Sequence, residues 1–389
     1  MNRIILIGNG FDLAHGLKTS YNDFIDWIVE SKHKYLEENR YRYEDNDISY
    51  SPGKYNNINI PLEKVKEVFS TSNDTFFMPL FAGDTSYVND QSFSYGSVNY
   101  KNSFLKLIIQ SRYIKGWADI ETMFYDELNR LLNDEKTTDK EIKKFNSDFQ
   151  RIINLLEEYL LIVVKSNNLI EEDIENRILS LLTNNPVSQN DMSIEFKNSK
   201  ETRIRGIEKQ LALDKILILD FNYTKTISKY FANSTNGVIM NKIEYINIHG
   251  TLNDQLNPII FGFGDELDEN YLKIEKSRLT GVLEYIKSIN YLRTSNYRSV
   301  LNFLELYNFQ VFTWGHSCGL TDRTLLNHIF EHNNCASIKP FYYQWFDEKT
   351  EKYSNNYIEV VSNIARNFTD KNKLRDRVVD LSRCEQLIK

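Results

Sequence analysis

Short apolar runs that stop at a glycine or a small polar residue recur along this chain, and they set its architecture. Residues 3–7, 215–221, 243–248, 258–263, 309–314 and 338–345 are β-branched or aromatic runs. From residue 215 onward they alternate with stretches of helical spacing at 225–233, 265–289, 298–307 and 322–332. Such alternation predicts a mostly parallel sheet flanked by helices. Between 103 and 213 the spacing is helical instead, most plainly over 140–165, where Ile142, Phe145, Phe149, Ile152 and Leu156 recur on one face.

Further helices are expected from Tyr21, with Ser20 as cap and Asp23 three residues on, over 119–132, and over 169–183. Asp119 and Glu121 open the second of these and suit the positive end of its dipole. Residues 41–60 and 72–102 are rich in Asn, Ser, Tyr, Gly and Asp and read as long loops. The polar stretch 184–199, with Pro186, reads as a linker. The expected fold class is α/β: a Rossmann-like, mostly parallel sheet flanked by helices and interrupted by a large α-helical insertion. Residues 1–40 and 214–389 then form one discontinuous domain, and 41–213 the mostly helical insertion.

Composition narrows the partners. A chain of 389 residues predicts two structural units, and 41% hydrophobic residues argue against disorder. A net charge of −7 and a pI near 5.6 make a nucleic-acid partner unlikely. Cys318, Cys335 and Cys384 are too few for a four-ligand zinc module, and an odd count suits a reducing compartment. No apolar stretch reaches 18 residues, so no membrane span is expected. The apolar run at 4–7 is too short for a secretory signal, which makes the cytoplasm the expected location.

The chemistry sits at four run ends. Gly8-Asn9-Gly10-Phe11-Asp12 lacks the third glycine of the dinucleotide fingerprint, where Leu13 stands. Two glycines let backbone amides approach a diphosphate, and Asp12 can accept from a ribose hydroxyl; the alternative is a ligand-free strand-to-helix turn. Asn222, in Phe221-Asn222-Tyr223-Thr224, has an amide able to hold a ribose hydroxyl or a water, or to close an Asx-turn. His249, in Ile248-His249-Gly250, is a candidate general base or a satisfied structural histidine. Gly315-His316-Ser317 adds small-residue backbone, with Asp322 beyond it as N-cap or ribose contact. His328 and His332 share a helical face, but no third ligand accompanies them, so a polar surface is the better reading and no metal is expected.

On these residues the chain resembles the AbiH family of bacteriophage abortive-infection proteins. The unbroken segment from Ile7 to Phe24 carries the likeness, and Trp117-Ala-Asp-Ile-Glu121, Phe221-Asn-Tyr-Thr224, Ile248-His-Gly250 and Gly315-His-Ser317 follow in the family's order. More distantly, the same order resembles the sirtuin-like NAD-consuming domains of bacterial defence proteins. That likeness implies catalytic positions for Asn222 and His249, and NAD binding by Gly8, Asn9, Gly10, Phe11, Asp12, Gly250, Gly315, His316 and Ser317. Asp12 stands where sirtuins usually have Ser, and the sirtuin zinc module is absent, which disfavours deacylation. The implied activity is hydrolysis of NAD as substrate at the nicotinamide–ribose bond, with no further cofactor required. The alternative is a module that senses NAD or ADP-ribose and controls a partner without turnover. A phage-derived trigger and a homo-oligomer are the expected associations.

Overall fold

Strand β1, Asn2–Ile7, is buried at every position, as a strand covered on both faces must be. In the computed structural model of the protein it lies inside a six-stranded sheet. The others are β2 (Ile216–Asp220), β3 (Ile243–Asn247), β4 (Phe309–Trp314), β5 (Cys335–Tyr342) and β6 (Glu385–Gln386). Their spatial order is β6-β5-β4-β1-β2-β3, with every pairing parallel. The chain builds outward from β1 through β2 to β3, then crosses to the other side of β1 for β4, β5 and β6. The sheet therefore reverses its winding between β1 and β4, the switch point where open α/β sheets form a crevice at their carboxyl edge.

Alternate side chains serve opposite faces. Ile4, Leu6, Leu217, Leu219 and Val311 pack with Val300, Phe303, Leu325 and Ile364 of the helices Asn296–Leu306, Arg323–Glu331 and Tyr357–Arg366. Ile5, Ile7, Ile216, Ile218, Phe312 and Trp314 pack on the other face with Phe11, Ile227 and Tyr230. The register levels the carboxyl ends: Ile7 is opposite both Trp314 and Asp220, and Asp220 is opposite Asn247. The segments that follow these four strands consequently emerge side by side.

The structure describes residues 1–38, 43–52, 75–78, 93–111, 116–166, 176–179, 182, 186–187, 211–232, 241–349 and 351–387. Two compact units divide the chain. The first comprises Met1–Thr19, Leu160–Arg278 and Val282–Lys389 and contains the parallel sheet; the second comprises Ser20–Tyr159 and Leu279–Gly281. In the second unit Ser20 and Asp23 cap the helix Tyr21–Glu38 reciprocally, and Asp119 accepts the Gly116 amide at the head of Trp117–Asn133. Phe104, Phe124, Phe145 and Phe149 form its aromatic centre, with 4.1 Å between the Phe124 and Phe149 rings.

Several expectations are corrected. Within the stretches read as loops, Tyr43–Glu44, Ile48–Pro52, Thr75–Met78 and Phe93–Tyr100 form a four-stranded antiparallel sheet. Residues 258–263 are not a strand. Their amides and carbonyls pair with loops, Ile260 N on His249 O and Phe263 N on Tyr285 O, so the apolar run is buried without joining a sheet edge. The expected helix at 265–289 is broken into Tyr271–Lys276 and Lys287–Asn290, and that at 225–233 is reduced to Lys229–Ala232. The expected helix over 169–183 and linker over 184–199 fall largely outside the described residues.

Candidate functional site

Gly8 is the residue at which β1 turns into the short helix Asn9–Ala14. Its amide donates to Trp314 O at 3.1 Å, and the Gly10 amide donates to Gly315 O at 2.9 Å. The turns after β1 and β4 are thus joined backbone to backbone. Gly315, at φ +68°, leaves no room for a side chain, since a Cβ there would lie 2.1 Å from Phe11 N. These glycines are required for one turn to approach the other. The Gly8 and Gly10 amides are engaged within the protein, while Asn9 is partly exposed and Ser317 is open to solvent. Phe11 is wholly buried, its ring stacked on Trp314 at 6.4 Å, so its side chain serves the core rather than a ligand surface.

Asn222 reaches the same turn from β2: its Nδ2 donates to Gly8 O at 3.1 Å. The Asx-turn that was the alternative reading of Asn222 is made by Asp220, whose Oδ1 accepts the Asn222 amide at 2.9 Å. Beneath lies a buried acidic pair. Thr224 donates to Asp12 Oδ2 at 2.6 Å. Burial raises the Asp12 carboxyl to about 6, opposed by hydrogen bonds from Thr224, Thr226 and Asn222. Asp220, also buried, is pushed well above the ordinary carboxyl range by desolvation and by Asp12, and it accepts from Tyr245 OH at 2.9 Å.

The second half of the site gathers around Asp322. Its Oδ1 lies 3.0 Å from His249 Nε2 and 2.8 Å from Lys287 Nζ, and its Oδ2 lies 3.8 Å from His316 Nε2. Asp322 occupies the N-cap position of the helix Arg323–Glu331 but makes no side-chain cap; the lysine and the histidines take its carboxylate instead. Burial favours the protonated acid, yet Lys287, His249 and His316 together hold Asp322 well below the usual carboxylate range. His316 accepts the Cys318 amide on Nδ1 at 2.9 Å, so its remaining proton is on Nε2, toward Asp322. Burial, with His249 and Lys287 adding to it and Asp322 opposing, depresses His316 to about 4. His316 is therefore a neutral donor at pH 7.

His249 is different in kind, because the carboxylate and the Tyr291 hydroxyl, at 3.2 Å, both face its Nε2. With the Nε2 proton given to Asp322, Nδ1 is left as the basic nitrogen. Phe221 sits between the histidines, its ring 5.0 Å from His249 and 4.1 Å from His316. Gly250, at φ +82°, lets the Pro258 carbonyl pass where a Cβ would lie 2.1 Å from it.

The sequence-predicted residues thus converge, Asn222 on the Gly8 turn and His249 with His316 on Asp322. Lys287 and Tyr291 were not anticipated: neither follows a strand, and no motif surrounds them. Among the described residues no group of three or more His, Cys, Asp or Glu is arranged to hold a metal ion. His328 and His332 lie with rings 6.0 Å apart, and His332 Nε2 is 3.4 Å from Glu305.

A parallel sheet in this order, with a buried acid–base cluster at its carboxyl edge, defines a Rossmann-like α/β protein. The family model described as bacteriophage abortive infection AbiH matches residues 4–344, and the chain belongs to the AbiH family. Membership places it among proteins of phage abortive infection. No curated protein and no solved structure matches it. Among the described residues no helix is long and apolar enough to cross a membrane.

Proposed function

We propose that this AbiH protein is an abortive-infection effector that hydrolyses NAD at the bond between nicotinamide and ribose, with His249 as general base. The observation carrying this reading is the His249–Asp322 pair, 3.0 Å apart, at the carboxyl edge of a sheet that switches direction nearby. That bond breaks through a state with oxocarbenium character, so removing a proton from a ribose hydroxyl helps where positive charge develops. His249 takes that proton, directly or through a relay, and the ionised Asp322 stabilises the imidazolium. Water adds to the ribose carbon, nicotinamide leaves, and one proton passes to solvent.

In this reading Asn222 positions the ribose or the attacking water from its place against the Gly8 turn. The dinucleotide meets the two glycine bends at their tips, Asn9 and Ser317, because the Gly8 and Gly10 amides are already engaged. A phage-derived trigger and self-association belong to the same proposal. Nicotinamide release, followed chromatographically with purified protein in extract of phage-infected cells, tests it. His249→Ala should slow release by about 10²–10⁴-fold; release at the unmutated rate would remove His249 from this role.

A second reading, a nucleotide-sensing module without turnover, is favoured by the Phe221 ring lying against both histidines. Calorimetry that finds tight ADP-ribose binding, together with no nicotinamide release in infected extract, selects it.

A further inference from the structure

Between β4 and the helix Arg323–Glu331 the backbone is left-handed twice, at Gly315 (φ +68°) and at Cys318 (φ +54°). Glycine adopts that conformation freely, whereas a residue with a Cβ resists it. Cys318 is wholly buried among the apolar residues of its sheet face, and two side-chain amides hold its turn. On the helix Tyr357–Arg366, Asn363 Nδ2 donates to Ser317 O at 2.9 Å. At the C-cap of the same helix, Asn367 Nδ2 donates to Cys318 O at 2.8 Å. Asn367 is itself wholly buried, and Asn327 Nδ2 donates to its carbonyl at 2.8 Å. A buried amide is costly unless its hydrogen bonds are met, and the Nδ2 bonds of this one go to the turn and to Asn363 O.

Set in this way, the Cys318 peptide aims its N–H at His316 Nδ1, 2.9 Å away. A ring nitrogen that accepts an amide proton cannot also carry one without setting N–H against N–H. The charged and titratable groups acting on His316 are Asp322, His249 and Lys287, and the Phe221 ring lies against it at 4.1 Å. Asp322 favours an imidazolium at this position, while burial, His249 and Lys287 oppose one. The Cys318 amide adds a geometric bar, because a second proton on Nδ1 requires the peptide to turn away.

We infer that Asn363 and Asn367 are positioning residues. By holding the Ser317 and Cys318 carbonyls they keep the left-handed Cys318 amide on His316 Nδ1. His316 is thereby confined to the role of uncharged donor, and of the two histidines beside Asp322 only His249 is free to take a proton. The consequence for turnover rests on the hydrolase reading above; the state of His316 does not.

Nitrogen NMR of the full-length protein labelled at histidine, with His316 assigned by its loss in His316→Gln, tests this by following the ring against pH. In the unmutated chain His316 should stay neutral down to about pH 4. Valine is β-branched and strongly disfavoured at positive φ. Cys318→Val should therefore move the peptide off the ring and raise the His316 midpoint by about one pH unit, the weight of one hydrogen bond. Cys318→Gly suits the same backbone and should keep the unmutated midpoint although it removes a buried side chain. A role in packing alone predicts the reverse, glycine disruptive and valine mild, because valine keeps the buried volume. Asn363→Ala, at a less buried position that spares the core, should raise the midpoint in the same direction by about half a pH unit. The reversed order of the two Cys318 variants, or midpoints unchanged in both Cys318→Val and Asn363→Ala, would overturn the inference. Nicotinamide release, measured separately, bears on the hydrolase reading alone.

Discussion

Asp322 shows how one buried charge is kept. Desolvation alone would protonate it, and an unpaired buried carboxylate is among the costliest groups a fold can hold. Lys287 on one side and two histidines on the other keep it ionised. Asp12 is drawn down by hydrogen bonds and by the charge of Lys229, yet burial prevails and raises it to about 6. A carboxyl whose pKa is higher folded than unfolded adds stability below the unfolded value, and this is lost as pH rises through the folded value. Asp12→Asn should therefore stabilise the chain by about 1–3 kcal/mol at pH 7.5 and by little at pH 4, as urea unfolding at the two pH values would reveal. Equal effects at both would mean that Asp12 is not titrating in this range. Asn222 and His249 were legible as candidates because each closely follows a strand end, and Asp12 because it follows the two-glycine turn. Lys287 was not, since a lysine between isoleucines gives no sign of being buried against a distant carboxylate.

At the scale of elements, the glycine turns are a joint between two strands. Gly315 holds φ +68°, and the space a side chain would need is filled by Phe11 and Gly10 backbone. Gly315→Ala should cost at least about 2–3 kcal/mol, combining left-handed strain with a backbone clash, and should lower the urea midpoint clearly. Gly16→Ala, with positive φ but open space around it, should cost about 1 kcal/mol. If the two variants were equally stable, the joint would not be tight. The strands β1 and β4 could be read from their short apolar and aromatic runs. The strand Phe93–Tyr100 could not, because its Tyr, Ser and Asn have the composition of a loop, and β6 is two residues long. The run at 258–263 has the composition of a strand, but its backbone is satisfied by turns, which composition alone does not reveal.

For the molecule as a whole, a single parallel sheet explains how motifs more than 300 residues apart meet at one sheet edge. The winding reverses between β1 and β4, so the first and the last motif emerge as neighbours. The second unit, Ser20–Tyr159 with Leu279–Gly281, is drawn largely from the chain between β1 and β2.

The most direct test is mass spectrometry of nucleotides from phage-challenged cells carrying either the unmutated chain or Asp322→Asn. NAD should fall, and ADP-ribose with nicotinamide should appear, only with the unmutated chain, and protection should be lost in the variant. Protection by the unmutated chain with NAD undiminished, or equal NAD loss in both, would contradict it.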